Sequence, residues 1–122
     1  MSFLVNNKKW PTPGSVPFLQ VIDKYRDAID WSDINTFIEC GTGETGDNAL
    51  YFSNFFEVHT IENNASLYES YKDRKGTNND VTFILGDGSL ELARILAAHK
   101  DERFLILLDD HNGYTSFIWT RF

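Results

Sequence analysis

Four carboxylates recur at the same kind of place in this chain. Glu39, Glu62, Asp87 and Asp109 each close, or closely follow, a short apolar run. The first of them opens Glu39-Cys40-Gly41-Thr42-Gly43-Glu44-Thr45-Gly46, in which three glycines are spaced G-x-G-x-x-G. A glycine turn of this kind admits a ligand to the backbone, because no Cβ blocks positive φ or close approach. Acids gathered beside it repel one another unless something cationic or hydrogen-bonding sits among them. Singly, each acid reads as readily as a loop cap; four in one topological slot read as a site. The chemistry in reach is recognition of a positively charged ligand bearing hydroxyl or amine donors, since two carboxylate oxygens can accept from a pair of hydroxyls. His111 follows Asp109-Asp110 and is the candidate general base, its ordinary pKa lying near neutrality. A solvated loop histidine is the plain alternative.

For those acids to meet, the runs before them must be parallel strands that share one edge. Phe37-Ile38, Phe56 to Ile61, Val81 to Leu85 and Phe104 to Leu108 read as those strands. Helical patterns precede and separate them: Phe18 to Ile29, Asn48 to Asn54, a segment capped near Asn63-Asn64 and running to about Arg74, and Leu90 to His99. Gly76 to Asp80 is a loop. The predicted order is a helix followed by β-α-β-α-β-α-β, an α/β domain with a sheet covered on both faces. Residues 1–17 carry all three prolines and are expected to form an irregular lead-in, with residues 18–122 as one domain. Trp10 is expected to pack on the domain, His59 to be a packed or surface residue, and His99 a solvated helix end.

Composition narrows the partners. Hydrophobic residues at 42% and charged residues at 24% are ordinary for a globular chain and argue against disorder. The net charge of −7, with no basic cluster beyond Lys8-Lys9, disfavours nucleic acid and anionic membrane. It favours a cationic small molecule. A single cysteine, Cys40, excludes an internal disulfide and suits a reducing compartment. No apolar run approaches the roughly 20 residues needed to span a bilayer, and the N-terminus has no secretion-signal pattern. A cytoplasmic location is expected.

Taken in order, these stretches resemble the motifs of class I S-adenosylmethionine-dependent methyltransferases. Glu39-Cys40-Gly41-Thr42-Gly43 is similar to the family's first motif, an acid two residues before a G-x-G turn. Glu62 sits where the family places the acid that binds the ribose hydroxyls, with Asn63 beside it. Gly86-Asp87-Gly88-Ser89 resembles the turn whose acid accepts from the adenine amine. Leu107-Leu108-Asp109-Asp110-His111 resembles the fourth-strand motif beside the methyl group and acceptor. The resemblance implies a Rossmann-like three-layer α/β/α fold with a mostly parallel sheet in the order 3-2-1-4. It also implies S-adenosyl-L-methionine as cofactor, held by Glu39, Gly41, Thr42, Gly43, Glu62, Asn63, Gly86, Asp87, Gly88 and Asp109. His111 and Asp109 would be catalytic on the acceptor side, without a dedicated metal. A metal site drawing on Asp109, Asp110 and His111, as in some members, is the lesser alternative.

Family members continue past the fourth strand with more strands and helices, completing a seven-stranded sheet and much of the acceptor pocket. Here only Asn112 to Phe122 follows, alternating loosely like one strand. The fourth strand is then expected to be an edge with an apolar face partly uncovered, inviting a homo-oligomer. Two rival readings accompany the methyl-donor one. The first is an NAD(P)-binding domain, on G-x-G-x-x-G with Glu62 about 20 residues on. The second is a non-catalytic interaction module whose nucleotide fold is vestigial.

Overall fold

The structure, a computed structural model, describes residues 3–10, 17–109 and 115–121, with side chains at 3–10, 20 and 22–108. The main sheet holds β1 (Ile34–Cys40), β2 (Glu57–Glu62), β3 (Val81–Leu85), β4 (Arg103–Asp109) and β5 (Thr115–Arg121). Its helices are α1 (Pro17–Lys24), α2 (Asp47–Phe52), α3 (Ala65–Tyr71) and α4 (Gly88–Ala98). The strands lie in the order β3-β2-β1-β4-β5. The first four are mutually parallel, and β5 runs antiparallel to β4. The chain is thus mixed α/β, with a four-stranded parallel sheet flanked by helices.

Register sorts the side chains onto the two faces. Phe37 stands opposite Val58 and Leu105, and the next residue, Ile38, opposite His59 and Ile106. Phe37, Val58, Leu105 and Leu107 join Ala49, Phe52, Phe55 and Phe56 in one buried cluster. Ile38, Ile61, Phe104 and Ile106 join Ile95 of α4 in another. Successive strand residues point to opposite faces, so both faces of the central strands are core. The larger cluster is aromatic: Phe37 stacks on Phe52 with centroids 4.2 Å apart. Trp10 closes its outer side, 4% exposed, with Phe55 at 4.7 Å and Trp31 at 5.3 Å.

Several elements differ from the sequence expectation, each for a local reason. The lead-in is not wholly irregular. Leu4–Val5 and Lys8–Lys9 pair as a hairpin whose turn residues Asn6 and Asn7 have φ of 49° and 66°. Asparagine tolerates that conformation. Asn6 also donates through Nδ2 to the carbonyls of Ile34 and Phe55, stitching the hairpin to the domain. The first helix stops at Lys24, and Arg26–Ala28 tightens into a 3-10 turn that brings Ile29 into the core. α2 ends at Phe52 because Ser53 Oγ and Asn54 Nδ2 donate to the carbonyls of Leu50 and Tyr51, competing with the helix ladder. α3 ends at Tyr71 instead of near Arg74. Arg74 turns away to bond Thr45 O and Asp47.

The expected edge also moves. β5 pairs with β4 along its full length, from Arg103 opposite Arg121 to Asp109 opposite Thr115. A seven-residue run with alternating residues sufficed to cover β4. Any pairing of copies through this side of the sheet therefore falls to β5, not β4. Among the described residues no helix is long and apolar enough to cross a membrane.

His59 lies on the α4 face, where its ring meets His99 edge-on at 5.4 Å. Its Nε2 is buried and makes no hydrogen bond, with Glu57 Oε1 at 3.5 Å. Burial depresses its pKa, against the pull of Glu57 and Glu102 and with the help of His99. His99 itself is not merely solvated, since Nδ1 stands 2.7 Å from Glu102 Oε2. Because the folded state resists charging His59, the unfolded state takes up that proton first. The stability tied to His59 is thus intact above the ordinary value of 6.5 and is lost as pH falls below it. Thermal unfolding of His59→Leu compared with the unsubstituted chain at pH 7.5 and 5.5 checks this. The substituted chain should lose less melting temperature on acidification; an equal loss would contradict the assignment.

Candidate functional site

The carboxyl ends of β1, β2, β3 and β4 share one edge of the sheet, and a cleft of about 420 Å³ opens there. Cys40 and Gly41 line it from the end of β1, Ile61, Glu62 and Asn63 from β2, and Gly86 to Ser89 from the turn into α4. Leu92 of α4 and Leu108 of β4 give it an apolar wall. Among the described residues, none that lines it is Lys or Arg. The cleft joins a polar side carrying Glu62 and Asp87 to a larger apolar surface, a combination suited to an organic ligand with donor groups.

The glycine turn is built by backbone needs. Gly41 and Gly43 have φ of 103° and 88°, a region that side chains with a Cβ rarely adopt. A Cβ on Gly43 would meet nothing within 4 Å, so its glycine is required by φ and not by crowding. The N–H groups of Gly41 and Thr42 both donate to Ile61 O, at 2.9 and 3.2 Å, folding the turn over the end of β2.

Glu62 is 6% exposed and braces two backbones at once. Its Oε1 accepts from Gly43 N at 3.3 Å and its Oε2 from Asn64 N at 2.9 Å. Each oxygen keeps a second lone-pair direction for a ligand hydroxyl. Tyr71 completes the clamp, its hydroxyl donating to Gly43 O at 2.9 Å. Burial, and then the charge of Glu62, push that hydroxyl up to about 12. It stays protonated and remains a donor.

Asp87 is exposed at the cleft rim and caps α4, Oδ1 accepting from Leu90 N at 2.9 Å. The helix therefore begins at Gly88, two residues before its expected start. Gly86 N donates to Glu62 O at 3.0 Å, which ties the Asp87 turn to the Glu62 strand end. Asn64, not Asn63, caps α3, leaving Asn63 to the cleft.

No protein-family model, curated protein or solved structure matches the chain. Its site is read from its own geometry.

That geometry brings together Gly41, Glu62, Asn63, Gly86, Asp87 and Gly88 of the expected set. Gly43 borders them through its bond to Glu62. It does not bring in Glu39 or Thr42. Glu39 is 1% exposed and lies on the α2 face of β1, with Oε1 accepting from Thr60 Oγ1 at 2.6 Å. Thr42 is 5% exposed and its hydroxyl lies 2.7 Å from that of Thr60. Asp109 ends β4 at the correct edge. Its side chain, and Asp110 and His111 entirely, lie outside the described residues. Among the described residues no group of three His, Cys, Asp or Glu is arranged to hold a metal ion.

Sequence reading missed Thr60, Tyr71 and the apolar wall of Leu92 and Leu108. Thr60 is one of several polar residues in β2, and its partner Glu39 is known only once the register is. Cys40 was read for compartment alone, yet it lines the cleft. Burial, and then the neighbouring Glu39 charge, raise its thiol to about 11. At pH 8 it should alkylate about tenfold or more slowly than free cysteine, since the thiolate is the nucleophile. Timed labelling with iodoacetamide and mass detection checks this; labelling as fast as the free amino acid would contradict the burial.

Proposed function

We propose that this chain binds S-adenosyl-L-methionine in the cleft at the carboxyl edge of its sheet, as a class I methyltransferase-like protein. The fold belongs with this reading as a Rossmann-like three-layer α/β/α arrangement. One observation carries it. Glu62, Asp87 and Gly41 of the glycine turn, drawn from three successive β-α junctions, line a single cleft, and none of its described lining residues is basic. In this reading Glu62 accepts from the ribose hydroxyls, Asp87 takes the adenine amine, and Leu92 and Leu108 face the base or the ribose. The sulfonium and ammonium end lies toward Gly41 and Asp109, where negative charge favours it. Methyl transfer is an in-line displacement that demands alignment of donor and acceptor and little side-chain chemistry. Asp109 and His111 are assigned to the methyl acceptor by the resemblance of their motif, His111 lying outside the described residues. A cytoplasmic location accords with the single, half-buried thiol of Cys40.

Glu62 also speaks against a dinucleotide. The Gly43 N–H, which a pyrophosphate would need, already donates to that carboxylate, and α2 offers only a six-residue helix behind it. Calorimetry with S-adenosylmethionine, S-adenosylhomocysteine and NAD tests the proposal. Micromolar binding of the first two and none of NAD is expected. Binding of NAD alone would replace the methyl-donor reading, and heat from none of the three would favour an interaction module.

A further inference from the structure

Glu39 is buried in the sheet behind the glycine turn and is not among the residues that line the cleft. Glu39 and Thr60 are cross-strand partners in the β1–β2 register. Thr60 is fully buried and Glu39 is 1% exposed. Thr60 Oγ1 donates to Glu39 Oε1 at 2.6 Å, within the range of a well-formed O–H···O bond. A hydroxyl has one hydrogen. With that hydrogen spent on Glu39, the 2.7 Å contact between Thr60 and Thr42 has one polarity: Thr42 donates and Thr60 accepts. The chain of bonds therefore runs Thr42 to Thr60 to Glu39, from the glycine turn down into the sheet. It holds the Thr42 side chain inward, while Gly41 before it lines the cleft and Gly43 after it donates to Glu62.

We infer that Glu39 and Thr60 are positioning residues that set the glycine turn for a nucleoside, acting through Thr42 and not by touching the ligand. The inference rests on the cleft being the nucleoside site. Its physical basis is that an acceptor-only anchor inside the sheet admits one orientation of the Thr42 hydroxyl. Other inward positions of the turn would leave a buried donor unpaired.

The test uses the full chain with Thr60→Val and Thr60→Ser, and reads two quantities. The first is the amide chemical shifts of Gly41 and Gly43 in the ligand-free protein. Thr60→Val should move both, and Thr60→Ser should return them to their original positions. The second is affinity for S-adenosylhomocysteine, which should fall about tenfold in Thr60→Val and recover to within about threefold in Thr60→Ser. Thr60 is fully buried, so any loss of affinity there is transmitted through the turn. Should Thr60→Val fail to fold, Thr42→Val leaves the Thr60–Glu39 bond in place and is read by the same amides. Unmoved Gly41 and Gly43 shifts overturn the inference, as does affinity in Thr60→Val equal to that of the unsubstituted chain. If the unsubstituted chain binds no nucleoside, the cleft assignment fails by itself, while the ligand-free shifts still decide whether the bond chain sets the turn.

Discussion

Glu62→Gln should lose nucleoside affinity by at least about a hundredfold, despite keeping the size of the side chain. The two oxygens of Glu62 each accept a backbone N–H, from Gly43 and from Asn64. A glutamine has one oxygen and one amide nitrogen. Whichever way it sits, its NH₂ faces a backbone donor, so one brace is lost and replaced by a repulsive contact. The negative charge that favours a cationic ligand disappears with it. The glycine turn and the α3 entry are then no longer tied to each other. Sequence alone suggests that removal of Glu62 leaves the fold intact, since the acid ends a strand. The structure adds a stability cost to that expectation, because Glu62 is 6% exposed and accepts from two backbone N–H groups. Glu62→Ala should therefore cost about 2 kcal/mol of stability as well. Titration calorimetry with S-adenosylhomocysteine and urea unfolding of both variants separate the two effects. Unchanged affinity in Glu62→Gln would remove Glu62 from the site.

Phe37→Ala should bring the protein close to global unfolding. Phe37 sits on the central strand, is fully buried, and lies flat against Phe52 at 4.2 Å with Phe56 beyond at 6.1 Å. Truncating a buried phenylalanine costs about 3–5 kcal/mol, transfer and cavity terms together. Total stabilities of about 5–15 kcal/mol leave little after that loss. Phe37→Leu preserves most of the volume and should cost about 1.5 kcal/mol. Urea unfolding followed by circular dichroism should show the alanine midpoint lowered by about 2 M relative to the original and the leucine midpoint much less. Equal midpoints for the two variants would mean that the stack carries little of the core energy.

The strands were legible because buried parallel strands are short apolar runs bounded by turns. Phe104 to Leu107 shows this: four buried apolar residues in succession, with the charged turn Lys100-Asp101 before them. Helix ends were less legible. Ser53 and Asn54 end α2 through bonds to carbonyls that sequence does not reveal as their targets. The site was legible in part for a similar reason. Glu62 and Asp87 stand at strand ends, where topology alone carries them to the cleft. Glu39 is not among the residues that line the cleft. Its position, two residues after Phe37 on one face, assigns it to the core. The alternation was there to be read, but a charged residue among aromatics needs its partner before that reading is credible. Thr60 is that partner, and it lies 21 residues away. Register across strands is a tertiary property, which no local pattern encodes.

The most direct test is a heteronuclear NMR titration of the labelled chain with S-adenosylhomocysteine. Saturable shifts should appear together at the amides of Gly41, Glu62, Asn63, Asp87 and Gly88, converging on one dissociation constant. Shifts confined elsewhere, for example to the hairpin and the Asn78-Asn79 loop on the far side, or no shifts at millimolar ligand, would contradict the proposal that the acids of this edge hold a cationic nucleoside.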